Sequence, residues 1–150
     1  MLREKFANSL KAAMKDKEPL TVSTVRLVIA KLKEQDIEAR GKGKESLADA
    51  EIQQMLQGMI KQRRESITLY EQGKRPELAE KERGEIAIIE RFLPKQMGDA
   101  ALEAAAKAVI AELGAQGMKD MGRTMAALRE RHAGEIDGAK ASQIVKRLLS

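Results

Sequence analysis

Apolar residues recur at spacings of three and four almost from one end of this chain to the other. On a backbone that turns every 3.6 residues, those spacings gather side chains on one face, and such a chain buries its apolar surface by packing helix on helix. No segment shows the strict alternation of a half-buried strand. Aromatic residues, which favour sheets, are 2% of the chain: Phe6, Phe92 and Tyr70. The remaining apolar content is mainly Ala, Leu, Ile, Val and Met, and a chain rich in Ala, Glu, Lys, Leu and Arg favours helices because those side chains lose little rotamer freedom there. The expected fold class is all-α and multihelical, and 150 residues suffice for a core without covalent staples.

The punctuation divides the pattern. A first helix is expected over Leu2 to Asp16, and Pro19 opens a second because its missing N–H would be orphaned there anyway. Val22, Val25, Ile29 and Leu32 form its inward stripe, widened by Leu27 and Val28. The run Arg40-Gly41-Lys42-Gly43-Lys44-Glu45 reads as a solvated loop. Ser46 is the expected cap of a long third helix, with Asp49 in its first turn. Ile52, Met55, Leu56, Met59, Ile60 and Ile67 face inward on that helix. Gly58, costing about 1 kcal/mol relative to Ala in mid-helix, is expected to mark close helix packing. After a turn at Gly73 to Pro76, a fourth helix carries Leu78, Ile86, Ile89, Phe92 and Leu93 inward. Its Glu, Lys and Arg residues from Glu77 to Arg91 read as an exposed face of i,i+4 pairs.

Pro94 stops that helix, and Pro94 to Gly98 is the expected linker between an N-terminal helical lobe, residues 1–94, and a smaller C-terminal lobe of three helices, residues 95–150. Asp99, Asp120 and Asp137 are the expected caps of those three helices, and Gly114 the glycine that ends the first of them. Leu102, Ala106, Val109, Ile110 and Leu113 face inward on that first helix. Met121, Met125 and Leu128 do so on the second, and Ala141, Ile144, Val145 and Leu148 on the third.

Several chemistries are excluded by residue type. The chain has no cysteine, so thiolate nucleophiles, disulfides and thiolate metal sites are absent. His132 is the single histidine, which rules out a histidine metal cluster, and its place at a helix end suits the macrodipole better than a general base without a nucleophile. The carboxylates are interleaved with cations, giving no contrast of environment for acid–base catalysis. Gly41 to Glu45 lacks the spacing and the Ser or Thr of a phosphate-binding nucleotide loop. Lys42 and Lys44 leave room there only for a loose phosphate contact. The amino-terminal residues are not a secretory signal, no stretch is apolar enough to span a membrane, and a cytoplasmic location is expected. No catalytic residue, metal or cofactor is expected.

The formal charge is +5. From Lys119 onward there are seven cations, Lys119, Arg123, Arg129, Arg131, Lys140, Lys146 and Arg147, against the four acids Asp120, Glu130, Glu135 and Asp137. Lys140, Gln143 and Arg147 share one flank of the last helix, and Arg123 lies opposite the apolar face of its own. Such a surface can contact phosphates, although the residues alone favour an ordinary solubilising face.

Four segments carry a resemblance to a known family. Asp120-Met121-Gly122-Arg123-Thr124-Met125 resembles the signature of the YqeY-like family. Gly134-Glu135-Ile136-Asp137-Gly138, followed by Val-Lys-Arg-Leu-Leu ending at Leu149, resembles its carboxyl-terminal motif. Phe92-Leu93-Pro94-Lys95-Gln96-Met97 is similar to its hinge, and Thr24-Val25-Arg26-Leu27 to its early helix motif. The resemblance covers essentially the whole chain. It implies an all-helical protein with a larger N-terminal lobe and a three-helix C-terminal lobe. The same module resembles the tail of GatB, a subunit of the glutamine-dependent amidotransferase acting on misacylated tRNA. That tail is understood to contact tRNA, while the chemistry resides in other parts.

The resemblance thus implies a tRNA-binding-like accessory module that is not catalytic alone. A family label of carbon–nitrogen ligase with glutamine as amido-N-donor would extend an activity whose amidase and ATP-binding cradle have no counterpart here. Lys119, Gly122, Arg123, Lys140 and Arg147 are the nucleic-acid-contacting residues it suggests. The alternative expectation is a protein-interaction module docking onto an amidotransferase or aminoacyl-tRNA synthetase subunit. No membrane partner is expected, and the sequence sets no oligomeric state.

Overall fold

A computed structural model describes residues 1–150 as seven α-helices without strands. The chain divides into two compact units, Met1–Leu93 and Pro94–Ser150.

The first unit contains α1 (Leu2–Lys15), α2 (Pro19–Gly41), α3 (Asp49–Gln72) and α4 (Pro76–Glu90). Pro19 and Pro76 both stand at the first helical position, where the fixed φ of proline suits the helix. The α3–α4 hairpin turns at Gly73 to Arg75, with Lys74 in the left-handed region at φ 57°. Phe6, Val25, Val28, Ile52, Leu56 and Ile89 are fully or almost fully buried in this core. Phe6 meets Phe92 edge to face, ring centroids 4.9 Å apart, the arrangement favoured by the ring quadrupoles.

Several expectations fail in this unit. Ser46 is not the cap of α3. That helix begins at Asp49, and Glu51 reaches back to accept the Ala48 N–H at 3.1 Å. Leu27 does not widen the inward stripe of α2 and is half exposed, because the buried side is set by Thr21, Thr24, Val25, Val28, Leu32, Asp36 and Ala39. Gly58 is exposed, with no atom within 4 Å of where a Cβ would stand. The glycine in tight packing is Gly84, whose Cβ would meet Leu20 Cδ2 at 2.8 Å.

The charged residues are not all solvated either. Asp36 is buried and accepts from Arg3 at 2.7 and 2.9 Å and from the Leu47 N–H at 2.9 Å. The Arg3 hydrogen bonds hold its carboxyl at about 2, outweighing the upward push of burial. Glu85, read as part of an exposed face, is buried against Arg63 Nε at 2.7 Å. Arg63 also donates to the Met59 carbonyl. Glu82 sits beside this pair with its pKa raised, chiefly by burial and then by the charge of Glu85.

The second unit contains α5 (Asp99–Leu113), a single 3-10 turn (Met118–Asp120), α6 (Met121–Arg131) and α7 (Gly138–Leu149). Leu102, Ala106, Val109, Leu128, Ala141 and Val145 form the centre of its core. Gly114 ends α5 in the left-handed conformation, φ 62°, as a C-terminal glycine does. Asp99 is the first helical residue of α5, and Gly98 takes the capping position.

The segment before α5 is anchored within this unit. Gln96 Nε2 donates to the Pro94 and Gly134 carbonyls at 3.0 and 2.6 Å, and the Met97 N–H donates to the Glu135 carbonyl at 2.8 Å. Residues 94–98 are thereby fixed to the α6–α7 loop.

Candidate nucleic-acid interface

Three of the five residues singled out above, Arg123, Lys140 and Arg147, are held by specific local contacts. Asp120 precedes α6, but its carboxylate does not cap that helix. It accepts the Gln116 N–H at 3.0 Å and an Arg123 N–H at 3.2 Å, while its carbonyl receives the Thr124 hydroxyl at 2.8 Å. The Gln116 bond leads the causes that keep the Asp120 pKa low, with the positive charges of Arg123 and Lys119 adding to it. Arg123 also donates to the Leu113 carbonyl at 3.2 Å, so it ties the start of α6 to the end of α5 while remaining 54% exposed. Gly122 is exposed beside it and its missing Cβ faces open space.

Asp137 does cap its helix, accepting the Ala139 and Lys140 N–H groups at 2.9 and 3.3 Å. Along α7, Lys140 pairs with Asp99 at 3.4 Å and Arg147 with Glu103 at 2.9 Å. Both pairs are solvent-exposed, and such pairs contribute only about 0–1 kcal/mol, so a stronger anion can compete for the cations.

The five residues form two groups. Lys119, Gly122 and Arg123 lie where α6 begins, at the level of Leu113, the last residue of α5. Lys140 and Arg147 lie against its first turns at Asp99 and Glu103, and the ten residues from Glu103 to Leu113 span about 15 Å of helix. Two further cations, Arg129 and Lys146, were not singled out in the sequence. Both are exposed and, like Lys119, form no ion pair with an acid. Charge counting cannot separate them from Arg131, which pairs with Glu112 and lowers the pKa of that carboxyl. Only the fold shows which cations are neutralised.

His132 follows the last residue of α6, its Nδ1 3.5 Å from Glu135. No cluster of three or more His, Cys, Asp or Glu side chains is placed to hold a metal ion, and no helix is long and apolar enough to cross a membrane.

These features define a class by structure: an all-helical protein whose second unit carries an exposed, partly unpaired set of cations. The family model described as Yqey-like protein matches residues 3–149, and the chain belongs to that family. It is also similar to curated fungal proteins. The protein named Altered inheritance of mitochondria protein 41, mitochondrial, is 33% identical over 84 residues in Lachancea thermotolerans and 34% identical over 83 residues in Kluyveromyces lactis. These matches take in 56% and 55% of this chain and 43% of each relative, so the chain spans less than half the length of those relatives. A Schizosaccharomyces pombe protein is 27% identical over 95 residues, which is 63% of this chain and 71% of that one.

Proposed function

We propose that this YqeY-family chain is a tRNA-binding-like accessory module, related to the tail of the glutamine-dependent aminoacyl-tRNA amidotransferase and not catalytic alone. The observation that carries the reading is the exposed cationic surface of the second unit. Lys119 is unpaired beside the open backbone at Gly122, Lys140 and Arg147 are held by exposed pairs, and Arg123 is 54% exposed while bonded to Asp120 and to the Leu113 carbonyl. Such groups exchange carboxylate for phosphate readily. With no exposed aromatic platform among them, recognition follows helical shape and backbone charge rather than stacking on single-stranded bases. We place this activity in the cytoplasm. The fungal relatives carry "mitochondrial" in their names, and subcellular fractionation separates the two locations.

Labelled bulk tRNA titrated with the protein at two salt concentrations tests the reading. Neutralising three to five phosphates gives log K against log salt a slope of roughly −2 to −5. The Arg123→Glu, Arg147→Glu variant should lose the binding. Salt-indifferent affinity, or no binding at low salt, overturns the reading. Glutamine-dependent amidation by the purified chain would overturn the non-catalytic part.

A second reading, docking onto an amidotransferase or synthetase subunit, draws support from a different place. Of the six large apolar residues that stand exposed, Met1, Met14, Leu27, Ile37 and Leu69 are in the first unit and only Met118 in the second. Exposed apolar surface favours a protein partner over RNA.

A further inference from the structure

The positive charge of the chain is concentrated away from the carboxyl-terminal cations. Residues 1–44, which hold α1 and α2, carry eleven Lys or Arg and six Asp or Glu. Residues 45–93 carry eight and ten, and residues 94–150 carry nine and seven. The excess of five in α1–α2 thus equals the formal charge of the whole protein, +5.

Its disposition is regular. Arg26, Lys33 and Arg40 follow one another at seven-residue intervals along one flank of α2 and are all exposed. Two heptads of helix separate the ends of this row by about 21 Å. Arg26 and Lys33 form no ion pair, and Arg40 spends its Nε–H on the Glu45 carbonyl. In α3–α4, by contrast, Arg63, Arg75 and Arg83 all face carboxylates. Val22 and Ile29, each only partly buried, alternate with the cations on the same flank, and Ile37 lies close by at 65% exposure. Where α2 starts, the flank runs into a shallow groove of about 610 Å³. Met14, Lys17, Glu18, Pro19, Val22 and Arg26 are among the residues that line it. Met14 is 53% exposed there.

We infer that this flank of α2, with its groove, is a docking seam for an acidic amphipathic helix of a protein partner. Heptad spacing matches the repeat of a helix laid alongside, which would bring a carboxylate to each cation and an apolar side chain to Met14, Val22 and Ile29. Charge complementarity sets orientation and on-rate, while the apolar groove supplies desolvated contact that a nucleic-acid backbone would leave unused. The seam gives a surface and a chemistry to the docking reading above, and it is independent of RNA binding by the second unit.

The test uses the full chain and a labelled helical peptide of about three heptads, with Glu at the positions facing the cations and Leu between them. A scrambled peptide of equal composition is the control. Fluorescence anisotropy should show the amphipathic peptide binding and the scrambled one not. Arg26→Glu, Lys33→Glu should weaken binding at least about tenfold, because each reversed cation then repels a carboxylate. Met14→Ser should weaken it less, and Arg123→Glu, Arg147→Glu should leave it unchanged. Circular dichroism of each variant establishes that the fold is kept. Equal binding of both peptides, or no binding of either, overturns the seam. Peptide binding that the Arg26, Lys33 variant retains also overturns the seam while leaving a protein partner elsewhere. Loss of tRNA rather than peptide binding in that variant reassigns the flank to RNA.

Discussion

Arg3 and Asp36 meet across α1 and α2 through two parallel hydrogen bonds, 2.7 and 2.9 Å long, although 33 residues separate them. Arg3 also donates to the Leu47 carbonyl at 3.0 Å while Asp36 accepts the Leu47 N–H, so the pair closes α1, α2 and the approach to α3 into one knot. Replacing Asp36 by Ala strands the Leu47 amide and the guanidinium together. Breaking a fully buried pair costs about 3–5 kcal/mol, and because Arg3 is 40% exposed the expected loss is about 2 kcal/mol. Urea denaturation at neutral pH measures it.

The same pair gives the protein a pH dependence at the acid end. The Asp36 carboxyl falls from an ordinary 3.8 to about 2 on folding, so the unfolded chain binds the proton more tightly. Its contribution, about 1–2 kcal/mol after allowing for solvent around Arg3, is complete above the unfolded pKa and disappears as pH falls through about 2. Asp36→Asn should remove this acid-side slope, read from denaturation midpoints across the range.

At the α3–α4 hairpin the sign reverses. Glu82 has a raised pKa in the folded state, so its ionisation opposes folding as pH rises through and above its usual range. Glu82→Gln should stabilise the protein at neutral pH by less than about 1 kcal/mol and have little effect in acid. Arg63→Ala leaves Glu85 buried and unpaired, and should cost about 3 kcal/mol. Thermal melts of both variants at two pH values separate these effects.

The two mid-helix glycines of the first unit should respond differently to alanine. Gly58 has open space where a Cβ would stand, so Gly58→Ala should stabilise α3 by about 1 kcal/mol. In Gly84→Ala the new methyl meets Leu20 Cδ2 at 2.8 Å, and displacing that side chain offsets the helix gain. Its denaturation midpoint should lie at or below that of the unsubstituted protein.

Thr24 is fully buried, and its hydroxyl has no hydrogen-bond partner. Valine has the same branched shape without the polar atom. Thr24→Val should therefore gain about 1 kcal/mol, whereas Thr24→Ser, which keeps the hydroxyl and loses a methyl, should lose stability. A Thr24→Val variant no more stable than the unsubstituted protein would show that the hydroxyl is satisfied in solution.

The candidate interface was only partly legible in the sequence. Arg123 could be placed outside the core from its position opposite Met121, Met125 and Leu128, and it is exposed. Lys140 and Arg147 were readable as one flank, and both face the first turns of α5. Their separation from Lys119 and Arg123 was not readable, because it depends on where α5 passes between the helix ends. Nor could the sequence distinguish Lys146, left without an acid, from Arg147, paired with Glu103.

What the sequence by itself determined was whatever depends on neighbours within a turn or two. The all-helical class follows from periodicity, the starts at Pro19 and Pro76 from a fixed φ, the stop at Gly114 from a left-handed residue, and the start of α7 from the reach of Asp137 to the Ala139 and Lys140 amides. Tertiary structure decided whatever depends on a partner far along the chain. It buried Asp36 against Arg3 and Glu85 against Arg63, put Leu27 in solvent, and left Gly58 open while packing Gly84 on Leu20. A helical stripe fixes which residues share a face. The cost of burying a polar or charged group decides which faces meet, and that cost is set by partners that only the folded chain brings within reach.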